Sequence, residues 1–537
     1  FLWSDLTPSA LFDKVFKHET EFSVLAPDDP RNLTQKNPYE VAGQKFHNLP
    51  PFPKEIQEEV WRDTANEIIR AYNESNYKGP MRVLTVREAI NGIPGFVNPI
   101  QMNTSEGFPF TALRPANASN RLWLFDLEET LEDGRKIYAP TPLLSKWITK
   151  IIREAHHSKQ CILNFFTDWL KDERRANAKI EQGKTRMFSG HNVAWLIVLR
   201  MYFQCIDSFL YAHGRKIGFA PGMDSHGVDA TELINSLLQH PHFSCMDVSR
   251  WDGAFQAYEH LMCGKIYIFV SNILYTYTHE DEKVMTTVIM EVLITNASNR
   301  FHVYFNLIYF STAGMPSGSD HTTPWNTVGH LNRQKMCFIF IIRNLPHFAP
   351  DLSPLEQMES SQWTLRDYRE NTRVFTYGDD IVDTTSTMFF KTWNIQTRIK
   401  CLRKFGYDYT PADKTATFGT ALETPFEQVT FLKSKFVRDS RFPTKWHMAM
   451  DKITIQELTN WIRKGIDPTY ALESNIRDAQ EMAYAHGPDY FHEFTDKVQR
   501  ASVKHKVPLN FGTFESFDFR WKQSHGIEEC TEYDPRP

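Results

Sequence analysis

The chain has 537 residues, enough to bury a large core and to divide into about two or three lobes. Hydrophobic residues make up 41% and charged residues 23%, which excludes a disordered or low-complexity protein. The net charge of −5 argues against indiscriminate nucleic-acid binding over the whole surface, although a basic channel can sit inside an acidic shell. The seven cysteines are scattered, odd in number and without a C-x-x-C, so neither a disulfide framework nor a zinc site is expected and a reducing cytosol fits. No secretory signal opens the chain, and no apolar run reaches the ~18 residues of a membrane span.

In chain order, residues 1–60 hold Pro8, Pro27, Pro30, Pro38, Pro50, Pro51 and Pro53. Proline fixes φ and biases its predecessor toward extended backbone, so this stretch predicts an irregular arm lying on other parts of the fold. Apolar periodicity predicts helices over 55–75, 143–157, 191–212, 254–279 and 281–296. A polar stretch running through Gly107-Phe108-Pro109 separates the first two. β-Branched and aromatic residues over 373–383 flank Gly378-Asp379, a hairpin signal, and 426–437 repeats the strand–turn pattern. Beyond about 440 the chain reads as predominantly helical, clearest over 453–462, and from His525 as a solvated acidic tail. Helices and strands mix without βα alternation, so the fold class is α+β.

Two runs carry the densest chemistry. Met246-Asp247-Val248-Ser249-Arg250-Trp251-Asp252 follows a strand-like apolar run that puts Asp247 at the end of a buried strand. A carboxylate there is costly unless a cation or hydrogen bonds compensate it. Asp252 lies beyond the strand and fits equally a cap on a helix beginning near Gly253. In Tyr377-Gly378-Asp379-Asp380 two adjacent carboxylates share a hairpin tip with apolar flanks, a solvated Gly-Asp turn being the alternative. Carboxylates from two segments suit magnesium, and a magnesium pair is the usual equipment for nucleotidyl transfer.

Two further segments could serve a nucleotide. Gly314, Ser317 and Gly318 make a Gly/Ser loop able to approach a phosphate or ribose closely, and it runs on to Thr322 and Asn326. A helix-leading turn is the other reading. Residues 171–186 carry six positive charges against three negative. There Lys179, Lys184 and Arg186 are spaced to present cations to a triphosphate, or else form a solvated charged face.

Together and in this order the segments resemble the RNA-dependent RNA polymerase signature of picornavirus-like positive-strand RNA viruses. Asn103-Thr104-Ser105-Glu106-Gly107-Phe108-Pro109-Phe110 looks like that family's template-strand loop, motif G, and 171–186 like its NTP-tunnel ribbon, motif F. Asp247 and Asp252 correspond to motif A, Ser317 to Asn326 to motif B, and Tyr377 to Asp380 to motif C. Tyr409-Thr410-Pro411-Ala412-Asp413-Lys414 resembles motif D, and Phe431-Leu432-Lys433 resembles motif E, the primer grip. The chain departs from the family at Ser319-Asp320-His321, where Cys-Ser-Gly is frequent, at Pro324-Trp325, and at Ser434 in place of arginine. The run Thr185-Arg186-Met187-Phe188-Ser189 resembles the insect-infecting picorna-like groups, iflaviruses and dicistroviruses, most.

The resemblance implies a closed right hand. Fingers take 1–204 and 299–315, and the palm takes 205–298 and 316–440 around an antiparallel sheet backed by helices. A mainly helical thumb takes 441–537, and the arm bridges fingers to thumb. Asp247 and Asp379 are then expected to hold two Mg²⁺, with Asp380 in support, the Val248 carbonyl as a further ligand and Mn²⁺ able to substitute. Arg175, Lys179, Lys184 and Arg186 would neutralise the triphosphate, and Lys414 would act as general acid. Asp252, Thr322 and Asn326 would read the ribose 2′-OH. Ser317 and Gly318 would form the hinge for template movement. Thr104, Ser105, Gly107 and Pro109 would guide the template, and Phe431, Leu432 and Lys433 would support the primer.

Implied partners are the RNA template and product duplex, NTPs, a small protein primer, and other viral replication proteins that recruit the chain to membrane-associated complexes in the host cytoplasm. Two other readings stay open. A reverse transcriptase would share the metal site but accept dNTPs, and a non-enzymatic RNA-binding scaffold would not need that site.

Overall fold

A computed structural model describes residues 4–44, 46–304, 307–318, 321–411 and 421–527. The arm supplies strands β1 (Leu6–Pro8) and β2 (Thr20–Phe22), and a peripheral hairpin follows, β3 (Phe125–Thr130) with β4 (Lys136–Pro140). Next come β5 (Phe165–Leu170), β6 (Arg174–Ala176), β7 (Met187–His191), β8 (His242–Val248), β9 (Arg300–Tyr304) and β10 (Leu307–Ser311). The last group is β11 (Thr372–Tyr377), β12 (Asp380–Thr385), β13 (Tyr409–Pro411), β14 (Thr430–Phe431), β15 (Ser434–Arg438), β16 (Trp446–Met450) and β17 (Trp461–Arg463). They build two four-stranded sheets, β10-β9-β5-β7 and β11-β12-β8-β13, a three-stranded sheet β14-β15-β16, and the pairs β1-β17 and β2-β6.

The five predicted helices form as Lys54–Asn73, Pro142–Ser158, Val193–His213, Ala257–Leu274 and Glu280–Ser298. Asn192 caps Val193–His213 by accepting from the Trp195 N–H. That helix is buried on all sides, which its apolar circumference permits. Contrary to the expectation that no apolar run reaches the length of a membrane span, the Val193–Ile217 stretch is long and apolar enough to cross a bilayer; 89% of that window is buried within the molecule, where it serves as the spine of the core. A second buried helix, Thr322–Ile342, packs against Lys54–Asn73 and β11.

The second sheet positions the carboxylates. β12 runs antiparallel to β11, with Tyr377 opposite Asp380, and antiparallel to β8, with Ile381 opposite Met246. β13 takes the other edge of β8, with Thr410 opposite Asp247. Both faces are covered. Phe243, Cys245 and Val382 pack with Phe431, Phe436 and Met448 of the three-stranded sheet, while Met246, Val248 and Ile381 belong to the helical core. The period-2 alternation of a strand sends neighbours to opposite cores, so a continuous apolar run is what this strand needs.

Three expectations need correction. Residues 453–462 are not one helix: Lys452–Glu457 is a short helix capped by Asp451, after which the chain turns into β17. Ile462 pairs with Thr7, and this contact with the arm overrides the helical pattern. The main C-terminal helices are Pro468–Tyr484, Pro488–Lys504 and Phe514–Ser524. His525 is not part of a solvated tail: its Nε2 lies 3.0 Å from Thr231 Oγ1, and its ring lies 4.2 Å from that of Trp521. The tail from 528 falls outside the described residues. The expected limit at 204 and 205 cuts the unbroken Val193–His213 helix, and the limit at 440 and 441 falls between the paired strands β15 and β16, so neither is a physical break.

The arm is stitched down at both ends. β1 pairs with β17, and β2 pairs with β6. Ser4 Oγ and the Asp5 N–H donate to Asp172 at 2.7 and 2.6 Å, while Lys464 Nζ donates to the Ser4 carbonyl at 2.8 Å. Glu457 accepts from the Glu19 N–H and, at 2.8 Å, from Thr20 Oγ1, and it faces Arg174 at 3.9 Å. Trp461 meets Phe12 and Phe22 edge-on.

Candidate active site

Asp379 stands at the tip of the β11–β12 hairpin. Gly378, before it, has φ +63°, a conformation that favours glycine, although a Cβ there would meet nothing within 4 Å. Asp247 alternates outward from a buried strand and is exposed. The pairing of Ile381 with Met246 sets Asp380 beside Asp247 on neighbouring strands. Asp379 is exposed at the tip, yet partial desolvation pushes its carboxyl above its ordinary value, and Asp252 and Asp247 push it further. Asp380 is pushed up to about 6, first by desolvation and then by Asp379 and Asp247, with the Lys433 charge opposing.

Acidic neighbours that raise Asp379 and Asp380 in this way suit a divalent cation, which would remove the repulsion. Among the described residues no three metal-ligating side chains converge on one point. Strand register and shared charge therefore assemble the carboxylates, rather than a preformed cage. Val248 closes β8 opposite Tyr409.

Arg186 reaches this cluster. Its guanidinium is held above its ordinary value first by hydrogen bonds to Glu173, with the charges of Asp252 and Asp379 adding. Arg186 Nε donates to Glu173 Oε1 at 2.6 Å, and Nη2 donates to the other oxygen. Arg175 lies 3.5 Å and Lys171 3.6 Å from the same carboxylate. Burial pushes Glu173 up, but Arg186, Lys171 and Arg175 outweigh it and hold the carboxyl low. Glu173 thus gathers three ribbon cations, a role that net charge alone does not reveal. Arg175 Nη2 also donates to the Lys184 carbonyl at 3.3 Å. Lys179 and Lys184 are exposed, their backbones joined by Lys184 N–H to Lys179 O at 2.9 Å.

The Gly/Ser loop leans on two other segments. Met315 N–H donates to the Asp252 carbonyl at 2.7 Å, and Gly318 N–H donates to the Ser189 carbonyl at 3.0 Å. A Cβ on Gly318 would sit 2.9 Å from that carbonyl oxygen, so glycine allows the close approach. Ser317 and Gly318 are exposed. Thr322 Oγ1 donates to the Pro316 carbonyl at 2.8 Å, and Asn326 Oδ1 accepts from Trp251 Nε1 at 2.9 Å. Asp252 lies in the short Trp251–Ala254 helix, in its first turn rather than at its cap, which is Arg250.

A cavity of about 1030 Å³ runs from Thr104, Ser105 and Gly107 to Ser317 and Gly318, past Trp169. Arg121 clamps the first of these segments, donating Nε and Nη2 to the Ser105 carbonyl at 3.0 and 2.7 Å. Gly107 has φ +72°, and a Cβ there would lie 2.7 Å from Asn192 Cα. Beneath the loop, fully buried Glu106 accepts from Arg114 at 2.6 and 2.7 Å. Pro109 caps the Phe110–Leu113 helix and does not line the cavity. Leu432 and Lys433, with φ +52° and +59°, make the turn between β14 and β15. Phe431 is buried beneath them. Lys414 lies outside the described residues.

Residues 13–502 match the family model described as viral RNA-dependent RNA polymerase. The chain is 28% identical over 516 residues to the genome polyprotein of Rice tungro spherical virus (strain A), covering 94% of the chain and 14% of the polyprotein. It is 26% identical over 532 residues to that of Deformed wing virus, covering 95% of the chain and 17% of the polyprotein. It therefore spans a small part of these relatives. Among solved structures, a Sicinivirus 3Dpol RNA-dependent RNA polymerase superposes with a TM-score of 0.74 at 23% identity, covering 97% of this chain and 96% of that one, so the fold is that of a right-hand polymerase. With a match that spans both carboxylate segments and most of the chain, this protein belongs to the viral RNA-dependent RNA polymerase family, enzymes of RNA-templated RNA synthesis.

Proposed function

We propose that the chain extends RNA on an RNA template at a site built on Asp247 and Asp379, with Asp380 in support. The observation that carries this reading is the strand register that sets β8 beside the β11–β12 tip, with Arg186 charge-coupled to Asp252 and Asp379. Two Mg²⁺, or Mn²⁺, held by these carboxylates and the Val248 carbonyl would activate the primer 3′-OH and offset charge on the departing pyrophosphate.

The chain's own residues supply binding and orientation. Arg186, aimed by Glu173, meets the triphosphate together with Arg175, Lys179 and Lys184. Thr322 and Asn326 exchange their present partners, the Pro316 carbonyl and the Trp251 indole, for the ribose 2′-OH, and Asp252 joins them. Thr104, Ser105 and Gly107 lead the template along the cavity toward Ser317 and Gly318. Lys433, near Asp380, steadies the primer end with Phe431 and Leu432 beneath it. Lys414 protonates the leaving group.

Fingers include the β10-β9-β5-β7 sheet, the palm is the β11-β12-β8-β13 sheet with its helices, and the thumb is the C-terminal helical unit. The reading extends to a small protein primer and to viral replication proteins that bring the chain to membrane-associated complexes in the cytoplasm.

Primer extension on an RNA template with Mg²⁺ tests it, comparing NTPs with dNTPs and wild type with Asp379→Asn. The expected result is NTP incorporation that the substitution abolishes. Equal use of dNTPs points instead to a reverse transcriptase, and RNA binding without synthesis points to a scaffold.

A further inference from the structure

Behind the Gly378 turn lies a fully buried histidine that the sequence motifs do not include. His330 sits on the Thr322–Ile342 helix with no exposed surface. Its Nδ1 is 3.0 Å from the Gly378 carbonyl, and its Nε2 is 3.0 Å from Tyr409 Oη on β13. Its ring lies 4.5 Å from that of Trp251, the residue before Asp252. One helical turn earlier, Thr327 Oγ1 accepts from the Gly378 N–H at 3.0 Å. Residues three apart share one helix face, so Thr327 and His330 together grip both polar groups of Gly378.

The hydrogen bonds have a fixed direction. A carbonyl only accepts, so Nδ1 carries the proton. Burial first, and then the Arg333 charge, hold the ring neutral. Nε2 is therefore an acceptor, and the Tyr409 hydroxyl donates to it. The Tyr409 oxygen in turn accepts from Arg333 Nη1 at 3.4 Å, and Arg333 is anchored on Glu259. A one-way chain thus runs Arg333 to Tyr409 to His330 to the carbonyl that precedes Asp379. Buried chains of this kind polarise and stiffen one another.

We infer that His330 is a positioning residue that fixes the metal-bearing hairpin tip and ties it to β13, an inference that rests on Asp247 and Asp379 being the metal ligands. It touches neither substrate nor metal. Its contribution is to hold Asp379 at the angle from which its carboxylate meets Asp247 across the sheet. Supporting groups behind a metal site commonly change affinity by roughly 10–100-fold when removed.

The test is Mn²⁺ binding by calorimetry on the metal-free full chain, without RNA or nucleotide, beside thermal unfolding. Asp379→Asn should abolish binding; retained binding would sink the metal-site reading itself, separately from the role of His330. His330→Leu removes both hydrogen bonds and should raise the dissociation constant at least roughly tenfold. His330→Asn returns an amide N–H near the Nδ1 position and should recover most of that loss, which a packing role would not do. Tyr409→Phe keeps the ring, deletes one link and should give an intermediate rise. Wild-type Mn²⁺ affinity in His330→Leu, whatever its melting temperature, overturns the inference. If that variant does not fold, wild-type affinity in Tyr409→Phe overturns it instead.

Discussion

Arg333→Met should destabilise the protein by about 3–5 kcal/mol, the usual cost of removing one partner of a buried ion pair. Arg333 is fully buried, its guanidinium 4.2 Å from the Trp251 ring centroid and 4.0 Å from that of Tyr407. It donates Nε and Nη2 to the two oxygens of Glu259 at 2.8 and 2.9 Å. Methionine fills much of the same volume, so the cavity term is small. What remains is a buried carboxylate whose other donors are the Gln256 N–H at 2.8 Å and Tyr407 Oη at 3.2 Å. Two neutral donors do not offset a charge that has lost its counter-ion. Unfolding entropy of ~2.1 cal/mol/K per residue over 537 residues gives roughly 1.1 kcal/mol per degree, hence a melting temperature lower by about 3–4 °C. Scanning calorimetry reads this directly. Arg333→Met combined with Glu259→Gln, which removes both charges and keeps the helix cap, should regain most of the loss. A shift below about one degree, or a double variant no better than the single, would refute the argument by showing that Glu259 is solvated.

Asp380 has a folded pKa of about 6 against roughly 4 when unfolded, so its contribution favours the folded state below about 4 and is lost as pH rises through 6. Bound Mn²⁺ should relieve that loss; its gain in melting temperature should be larger near pH 7.5 than near pH 5, and equal gains would count against the cluster. Asp252→Ala should erode preference for NTPs over dNTPs by about 1–3 kcal/mol, or roughly 5–150-fold, in single-nucleotide incorporation, and unchanged discrimination would exclude a role in reading the ribose. Glu457→Gln weakens the hold on Glu19, Thr20 and Arg174, so limited proteolysis should cut the arm faster; an unaltered rate would show that strand pairing alone retains it.

What the sequence made legible was local. The apolar flanks of Gly378-Asp379 and the strand-like apolar run before Asp247 predicted strands, and strands formed, because both segments are buried on two faces and need that composition. The helix over 191–212 was legible for the same reason. Residues 453–462 misled because their pattern suits a helix, while the partner that decides their structure lies at Leu6–Pro8, far away in sequence. Glu173, Glu106 and His330 were missed for a related reason. Their roles lie in Arg186, in Arg114 and in Gly378 with Tyr409, and a lone acidic or imidazole side chain does not announce its partner. Thr322 and Asn326, proposed to read the ribose, were legible as types, but their present engagement with Pro316 and Trp251 was not.

The pairing of β1 with β17 joins segments some 450 positions apart, as Ser9 donating to the Thr459 carbonyl illustrates. A ribosome delivers the N-terminal part long before its docking surface exists. Until synthesis passes Arg463, β1 lacks its partner β17 and Arg174 lacks the facing Glu457 carboxylate. Such late, long-range closure is slow compared with local folding. On the proposed function, competence to copy RNA should therefore arrive only after the segment through Arg463 has been made.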